Sequence, residues 1–406
     1  MKKVLLFWIA VFVTVCANAQ YQLPNGDFEN WPGENTSVPD GWHTFNTATG
    51  TLAGMVTSAI QHERAAGHSG QYSCCLKPRN VIFGIIANGN FTTGRINAGS
   101  ISASDFTGNY NFSDIVEGYC QTFTGYPDSL SFWASLYATD ASLEASLTAT
   151  IHGNYAMHDP IDDESKAVAT VTKHFSRTTA SENAVVWQNY RTKFNYDDYM
   201  SFNQTAQYIL ISFTTNKTPG EGNTDDRLYM DDIEMIYIGE MTDIKVNDTT
   251  IADFSPNTYT YEMYYTDELP TVTATAASAI ANAKNQVSIT QASADNNYTA
   301  TINRLGSDIT YTIHFIENPD NSVEDYALEH EFSFFPNPTS TTLNIRGERM
   351  DRIEVVSLDG RLLFSGAPDS PEFTTLDVTP FAAGHYTVRI TLNDGKTVSG
   401  KIVVNR

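Results

Sequence analysis

Short apolar runs that alternate with polar residues, separated by turn signals, constrain this chain most. Tyr208-Ile209-Leu210-Ile211-Ser212-Phe213, Thr271-Val272-Thr273-Ala274-Thr275 and Ile309-Thr310-Tyr311-Thr312-Ile313-His314-Phe315 are such runs. Asn88-Gly89 and Thr218-Pro219-Gly220 mark turns, and Asp359-Gly360 between two apolar runs is a hairpin signal. No amphipathic helical period of useful length competes with them. Period-2 patterning over many short segments predicts an all-β protein built of β-sandwiches throughout. With 406 residues, two or three domains are expected. A hydrophobic content of 41% and an aromatic content of 12% are enough to build packed cores and argue against disorder.

The N-terminal residues read as a targeting segment. Lys2 and Lys3 precede an apolar run from Val4 to Val15, and Ala17-Asn18-Ala19 is a small-x-small cleavage site. This predicts a secretory signal peptide over residues 1–19, too short to span a membrane as a helix. A lipoprotein signal at Cys16 is the alternative, although Val15 is bulky where such signals place a small residue. No other segment is long and apolar enough to span.

Formal charge is −23, and loss of Lys2 and Lys3 with the signal takes the mature chain to −25. Such a field repels nucleic acid and anionic membranes, and neutral glycans are indifferent to it. The excess lies before Pro338, because the residues from there on carry eight basic and eight acidic side chains. Cys74, Cys75 and Cys120 remain after the signal, an odd count with no C-x-x-C spacing. Neighbouring strand residues face opposite ways, so at most one of Cys74 and Cys75 would face Cys120. Burial as small hydrophobes is the other reading.

Residues 332–406 open with Phe334-Phe335-Pro336-Asn337-Pro338-Thr339. They continue through Leu358-Asp359-Gly360 and Gly384-His385-Tyr386-Thr387-Val388-Arg389-Ile390 to a basic end, Lys401-Ile402-Val403-Val404-Asn405-Arg406. In this order they resemble the C-terminal sorting domain of the Bacteroidota type IX (Por) secretion system. The resemblance implies secretion to the outer cell surface or the medium, with the type IX machinery as a partner. Gly384, Tyr386, Lys401 and Arg406 match the family's recurring positions and are the expected sorting-signal residues.

Residues 20–237 open with Asn25-Gly26-Asp27-Phe28-Glu29-Asn30-Trp31 and Pro39-Asp40-Gly41-Trp42. Gly67-His68-Ser69-Gly70 follows, then Gly125-Tyr126-Pro127-Asp128-Ser129-Leu130-Ser131-Phe132-Trp133, and the segment closes on Met230-Asp231-Asp232-Ile233. These motifs resemble jelly-roll carbohydrate-binding modules and, more particularly, the family of Bacteroidota exported proteins named the putative carbohydrate metabolism domain. The resemblance implies a glycan or polysaccharide partner. Loops between Ile85 and Glu117 and between Ile151 and Trp187 are where the chain is expected to depart from the pattern. Residues 238–318 resemble the Ig-like or cadherin-like sandwiches that act as spacers in secreted bacterial proteins, and 319–331 reads as a linker. Together these resemblances imply a jelly-roll β-sandwich followed by two Ig-like β-sandwich domains.

Two site expectations follow for the first module. In jelly-roll sugar modules a structural calcium ion often pins the first segment to the last strand, and calcium takes hard oxygen ligands. Glu29, Asp231 and Asp232 match those positions; solvated strand-end charges are the alternative. Sugar sites pair aromatic faces with fixed polar groups. Trp31, Trp187, Tyr126, Tyr190 and Arg79 are the leading candidates, Tyr155 is a further aromatic, and Asn88, Asn90 and Arg95 are further hydrogen-bonders. Trp42 and Trp133 read as core. The acidic stretch His158-Asp159-Pro160-Ile161-Asp162-Asp163-Glu164 reads as an exposed loop without function. No H-E-x-x-H, G-x-S-x-G or phosphate loop occurs. The expected function is carbohydrate binding. A glycoside hydrolase using paired carboxylates and a structural adhesin that binds protein are the alternatives.

Overall fold

The computed structural model describes residues 20–33, 37–81, 84–116, 118–266, 268–318 and 332–405. The expected signal peptide, linker and sorting residue Arg406 lie outside these. The architecture is all-β, with antiparallel pairing and two short α-helices, Ala53–Val56 and Ala279–Ala283, among the described residues. The chain divides into two compact units, Met1–Met263 with Leu269–Phe315 and Tyr264–Glu268 with Ile316–Arg406.

Two five-strand sheets frame the first module. The front sheet runs His62–Ala66, Tyr72–Leu76, Arg227–Ile236, Ser129–Tyr137, Gln188–Lys193. The back sheet runs Ala167–Ser176, Glu144–His152, Tyr208–Thr214, Asn90–Thr92, and Gln121–Thr122 also pairs with Tyr208–Thr214. Alternate residues of each strand meet in one core. Leu130, Phe132, Ala134 and Leu136 come from the front, and Leu147, Ala149, Ile151, Ile209, Ile211 and Phe213 from the back. Burying each larger side chain contributes about 1.5–3 kcal/mol. Trp42 joins this core as expected, stacked on Phe91 at 4.7 Å between ring centres. A third sheet, Met157–Asp159, Asn109–Ser113, Arg95–Ala98, belongs to the same module.

The same unit holds the next sandwich, with Met241–Val246 between Thr249–Thr250 and Val272–Ala276, and with Thr299–Arg304 between Val287–Thr290 and Thr310–Glu317. One buried ion pair ties it to the first module. Arg304 is fully buried and its guanidinium meets the Asp128 carboxylate. It also donates to the carbonyl oxygens of Ile238 (3.0 Å) and Tyr126 (2.8 Å). Asp128 accepts further from the Ile238 amide (2.8 Å) and the Ser278 hydroxyl (2.6 Å). These partners make the buried charge tolerable, although Arg304 Nε is left without one.

The second unit carries the sheets Ser333–Phe335, Thr342–Arg346, Phe373–Asp377 and Leu362–Gly366, Met350–Ser357, Gly384–Leu392, Thr397–Val404 around its own core. The opening motif has a local physical role. Asn337 donates to the Lys401 carbonyl (3.0 Å) and accepts from the Val403 amide (2.8 Å), so its side chain acts as a partner for the last strand. A Cβ at Gly400 would collide with the Phe334 ring, so glycine there lets the motif lie against the strand.

Cys74, Cys75 and Cys120 are free thiols, the first two buried, which fits the small-hydrophobe reading.

Asp128→Ala is expected to lower stability by about 3–5 kcal/mol, because it leaves Arg304 buried without its counter-charge. A urea midpoint on the full chain measures this. Asp128→Leu combined with Arg304→Met is expected to recover most of the loss.

Candidate functional site

The outward-facing positions of the back sheet form two cross-strand rows. His174, Ser146, Thr214 and Asn90 oppose one another in the first, and Thr172, Thr148, Ser212 and Thr92 in the second. Directly opposed side chains in a sheet sit about 4.5–5.5 Å apart. All but Thr92 line one cavity of about 340 Å³. This lies at the small end of the range for ligand pockets, about 300–1,000 Å³. The walls come from the segments between the strands. Phe45, Leu52 and Val56 form one side, Val81, Ile85 and Ile86 another, and Ile96, Ile101 and Phe106 a third. One of the two stretches expected to depart from the jelly-roll pattern, Ile85 to Glu117, builds part of these walls.

Polar atoms in this cavity are not all satisfied by the protein. Asn90 Nδ2 donates to Asn111 Oδ1 (2.9 Å), which leaves its own Oδ1 buried without a partner. Asn216 Oδ1 accepts from the Thr218 amide (3.0 Å), and its Nδ2 is buried and unpartnered. Asn88 Oδ1 is also buried without a partner, and since buried polar groups in native proteins nearly always have one, these three atoms set the lining apart. Asn88 and Asn90, expected as hydrogen-bonders, both line the cavity.

Asp159 departs from the reading of its segment as an exposed loop, while Asp162, Asp163 and Glu164 are exposed as expected. It pairs with Asn111 in the third sheet and its carboxylate lines the cavity, accepting from Thr148 Oγ1 at 2.6 Å. Burial pushes this carboxyl above its usual range, and hydrogen bonds from Thr148, Ser212 and Asn111 oppose the rise. Asp159 is the one carboxylate among the described lining residues, so the paired acids of a glycosidase are not assembled here.

The leading sequence candidates lie elsewhere. Trp31 packs on the core and donates Nε1 to the Phe28 carbonyl (2.6 Å). Tyr126 is buried and its hydroxyl accepts from the Ala206 amide (3.1 Å). Tyr190 is buried against Phe132, 5.3 Å between ring centres. Arg79 donates to the Ile60 carbonyl (2.8 Å). Trp187 is half-buried, edge-on to His68 at 5.7 Å. Trp133 faces outward from the front sheet and stacks on His68 at 3.8 Å, rather than entering the core as expected. Tyr155 is exposed and does not line the cavity.

The expected calcium acids converge, but on a loop. Glu29 accepts from the amides of Gln71 (2.8 Å) and Tyr72 (2.9 Å). Asp231 accepts from the His68 amide (2.7 Å), and Asp232 from the His68 ring (2.7 Å) and the Ser69 hydroxyl (2.7 Å). Gly70 sits at φ +60° between them, with no room for a Cβ beside Glu29. These oxygens face hydrogen-bond donors, and no group of three or more His, Cys, Asp or Glu side chains able to hold a metal occurs among the described residues. The geometry fits loop anchoring.

Of the sorting residues, Tyr386 is buried beside Phe381 and donates to the Ala382 carbonyl (2.6 Å). Gly384 starts its strand, and Lys401 is exposed.

Burial raises the Asp231 carboxyl to about 7, with the neighbouring Asp232 charge adding to the rise and the His68 and Asp232 amides opposing it. The folded chain then holds a proton there that the unfolded chain releases near pH 4. Stability from this group is present below pH 4 and lost as pH rises to about 7. The melting temperature of Asp231→Asn minus that of the native chain is expected to grow more positive from pH 4 to pH 7 in parallel thermal scans.

Among curated proteins none matches this chain. A protein of Bacteroides thetaiotaomicron described as a putative glycoside hydrolase is 15% identical, with 52% of this chain and 70% of that one covered and a TM-score of 0.38. The CBM22-1 xylan-binding domain of Paenibacillus barcinonensis Xyn10C is 11% identical over 53% of this chain and 93% of its own, with a TM-score of 0.24. The K3 adhesin domain of Lys-gingipain from Porphyromonas gingivalis is 13% identical over 52% and 96%, with a TM-score of 0.26. Residues 333–405 match the family of secretion system C-terminal sorting domains. The chain thus carries a type IX sorting domain, which directs it to the cell surface or the extracellular space.

Proposed function

We propose that this chain is an exported bacterial protein, surface-displayed or released, that binds carbohydrate in the cavity on the back sheet of its first module. The observation that carries this is the cavity floor. Hydroxyls of Ser146, Thr148, Thr172, Ser212 and Thr214 stand in register beside the Asn90 and Asn216 amides, two of whose atoms have no protein partner. Thr148, Ser212 and Thr214 donate within the protein, to Asp159, Thr92 and the Asn216 carbonyl, and keep acceptor capacity for the closely spaced hydroxyls of a sugar. With a single carboxylate in the lining, recognition without hydrolysis is the reading favoured over a glycosidase. The Sec signal at residues 1–19 and an origin in Bacteroidota belong to the same proposal and rest on sequence.

Thr172 and His174 are exposed on the sheet and line the cavity, so they can be changed without disturbing the core. Each alanine substitution is expected to weaken binding of the best ligand from a glycan array about fivefold, the equivalent of one hydrogen bond at ~1 kcal/mol. Trp187→Ala, on the front sheet, is expected to leave binding unchanged. Calorimetry on the full chain measures both, and chromatography after prolonged incubation is expected to find no shorter products. Loss of binding in Trp187→Ala with retention in His174→Ala would move the site to the front sheet.

Truncation from Lys401 would remove Ile402 and Val404 from the core of the sorting domain, and so would test folding as much as export. Lys401 itself is exposed. In a host with type IX secretion, Lys401→Glu is expected to accumulate in the periplasm while the purified variant keeps its stability within about 0.5 kcal/mol. Normal export of that variant would show that Lys401 is dispensable for sorting.

A further inference from the structure

The cavity has two chemistries, and only its floor suits a bare sugar. The walls are mostly aliphatic: Leu52, Val56, Val81, Ile85, Ile86 and Ile96 line them, with Phe45 and Tyr110 as aromatic members. The rim extends this apolar surface. Ile101 is 64% exposed and Phe106 is 50% exposed, and both line the mouth. They sit on one loop, Gly99–Gly108, which is internally braced. The Gly99 amide donates to the Gly108 carbonyl (2.8 Å), and Asn109 Nδ2 donates to the carbonyls of Ser100 (3.0 Å) and Ser102 (2.8 Å). A Cβ at Gly220 would touch Ala103, so this loop also abuts the segment that carries Pro219. Two large apolar side chains held out on a braced loop beside a cavity mark a surface that a ligand covers.

Hydroxyls of an unsubstituted sugar pressed against aliphatic walls would lose water and gain no partner, which disfavours that ligand. An acyl substituent reverses the balance, since its methyl group or chain takes the wall while the ring takes the floor. Charge points the same way. Asp159 places a carboxyl in the cavity, Lys217 in the lining is already ion-paired to Glu144, and the chain is strongly acidic, so an anionic sugar gains no free cation among the described lining residues. The volume, about 340 Å³, suits one sugar residue with its substituent. We infer that the cavity selects a neutral sugar carrying an acyl group, N-linked or O-linked, with the ring on the polar floor and the acyl group between the aliphatic wall and the Ile101–Phe106 loop. This inference rests on the carbohydrate-binding reading of the same cavity.

Calorimetry on the full chain with two matched pairs tests it. N,N′-diacetylchitobiose against cellobiose isolates an N-acyl group, and acetylated against deacetylated xylotetraose isolates an O-acyl group. The acylated member of at least one pair is expected to bind about tenfold more tightly, the scale on which an apolar pocket rewards a methyl-sized group. Ile101→Ser with Phe106→Ser, both at exposed positions, is expected to bring the two members of that pair within about twofold. It should leave the weaker member's affinity unchanged. His174→Ala is expected to weaken both members alike. Equal binding within both pairs would overturn the acyl inference and leave carbohydrate binding standing. A native preference for acylated sugars that survives the double variant would also overturn it, by removing the wall and rim from the explanation. No binding of any of the four sugars would remove the carbohydrate reading and the acyl inference together.

Discussion

The strict alternation of a β-strand governs this molecule. Along Glu144–His152, Ala145, Leu147, Ala149 and Ile151 fall inward and close the sandwich. The residues between them, Ser146, Thr148 and Thr150, have to face the other way. Hydrogen-bond register with Ala167–Ser176 and Tyr208–Thr214 then sets each outward residue beside a defined neighbour. The floor of the cavity is therefore a by-product of core packing, held as rigidly as the core itself. A slip of one residue in any of these strands would bury the hydroxyls and expose the apolar set. Recognition groups carried by strands in this way need little ordering when a ligand arrives.

The all-β class and the two-sheet frame could be read from sequence, because period-2 patterning is local information. So could the sorting domain, whose motif residues Asn337 and Phe334 are set by contacts with the last strand. The floor of the site was in principle readable too: Ser146, Thr148, Thr172 and Ser212 are the polar half of strong strand patterns. Aromatic residues drew attention instead, and most of them turned out to serve the fold. Tyr126 and Tyr190 are buried, and Trp31 packs on the core. The walls could not be read, because they depend on where loops between distant strands come to rest. Ile85 and Ile101 carry no pattern that announces a shared cavity.

Acidic residues show the same divide between type and role. Glu29, Asp231 and Asp232 are correctly associated across some two hundred residues of sequence, since the first segment and the last strand of the module do converge. Their oxygens accept from backbone amides, a histidine ring and a hydroxyl, so these acids anchor the loop around Gly70. Asp128 anchors the adjoining sandwich through Arg304. Asp159, set aside in sequence as surface charge, is the acid that reaches the cavity. What a carboxylate does here is decided by the donors around it, and those donors come from other strands.

The thiols have a consequence for how such a chain withstands the journey out of the cell. Cys75 lies fully buried with its ionisation pushed up to about 12, and burial raises Cys74 as well. At neutral pH Cys75 is held as the thiol, and the thiolate is the form that attacks disulfides and reacts with oxidants. Once folded, these cysteines offer almost nothing to the thiol-oxidising catalysts of an envelope compartment. Packing alone thus shields Cys74 and Cys75 from mispairing with other exported proteins, whereas Cys120 is only partly buried.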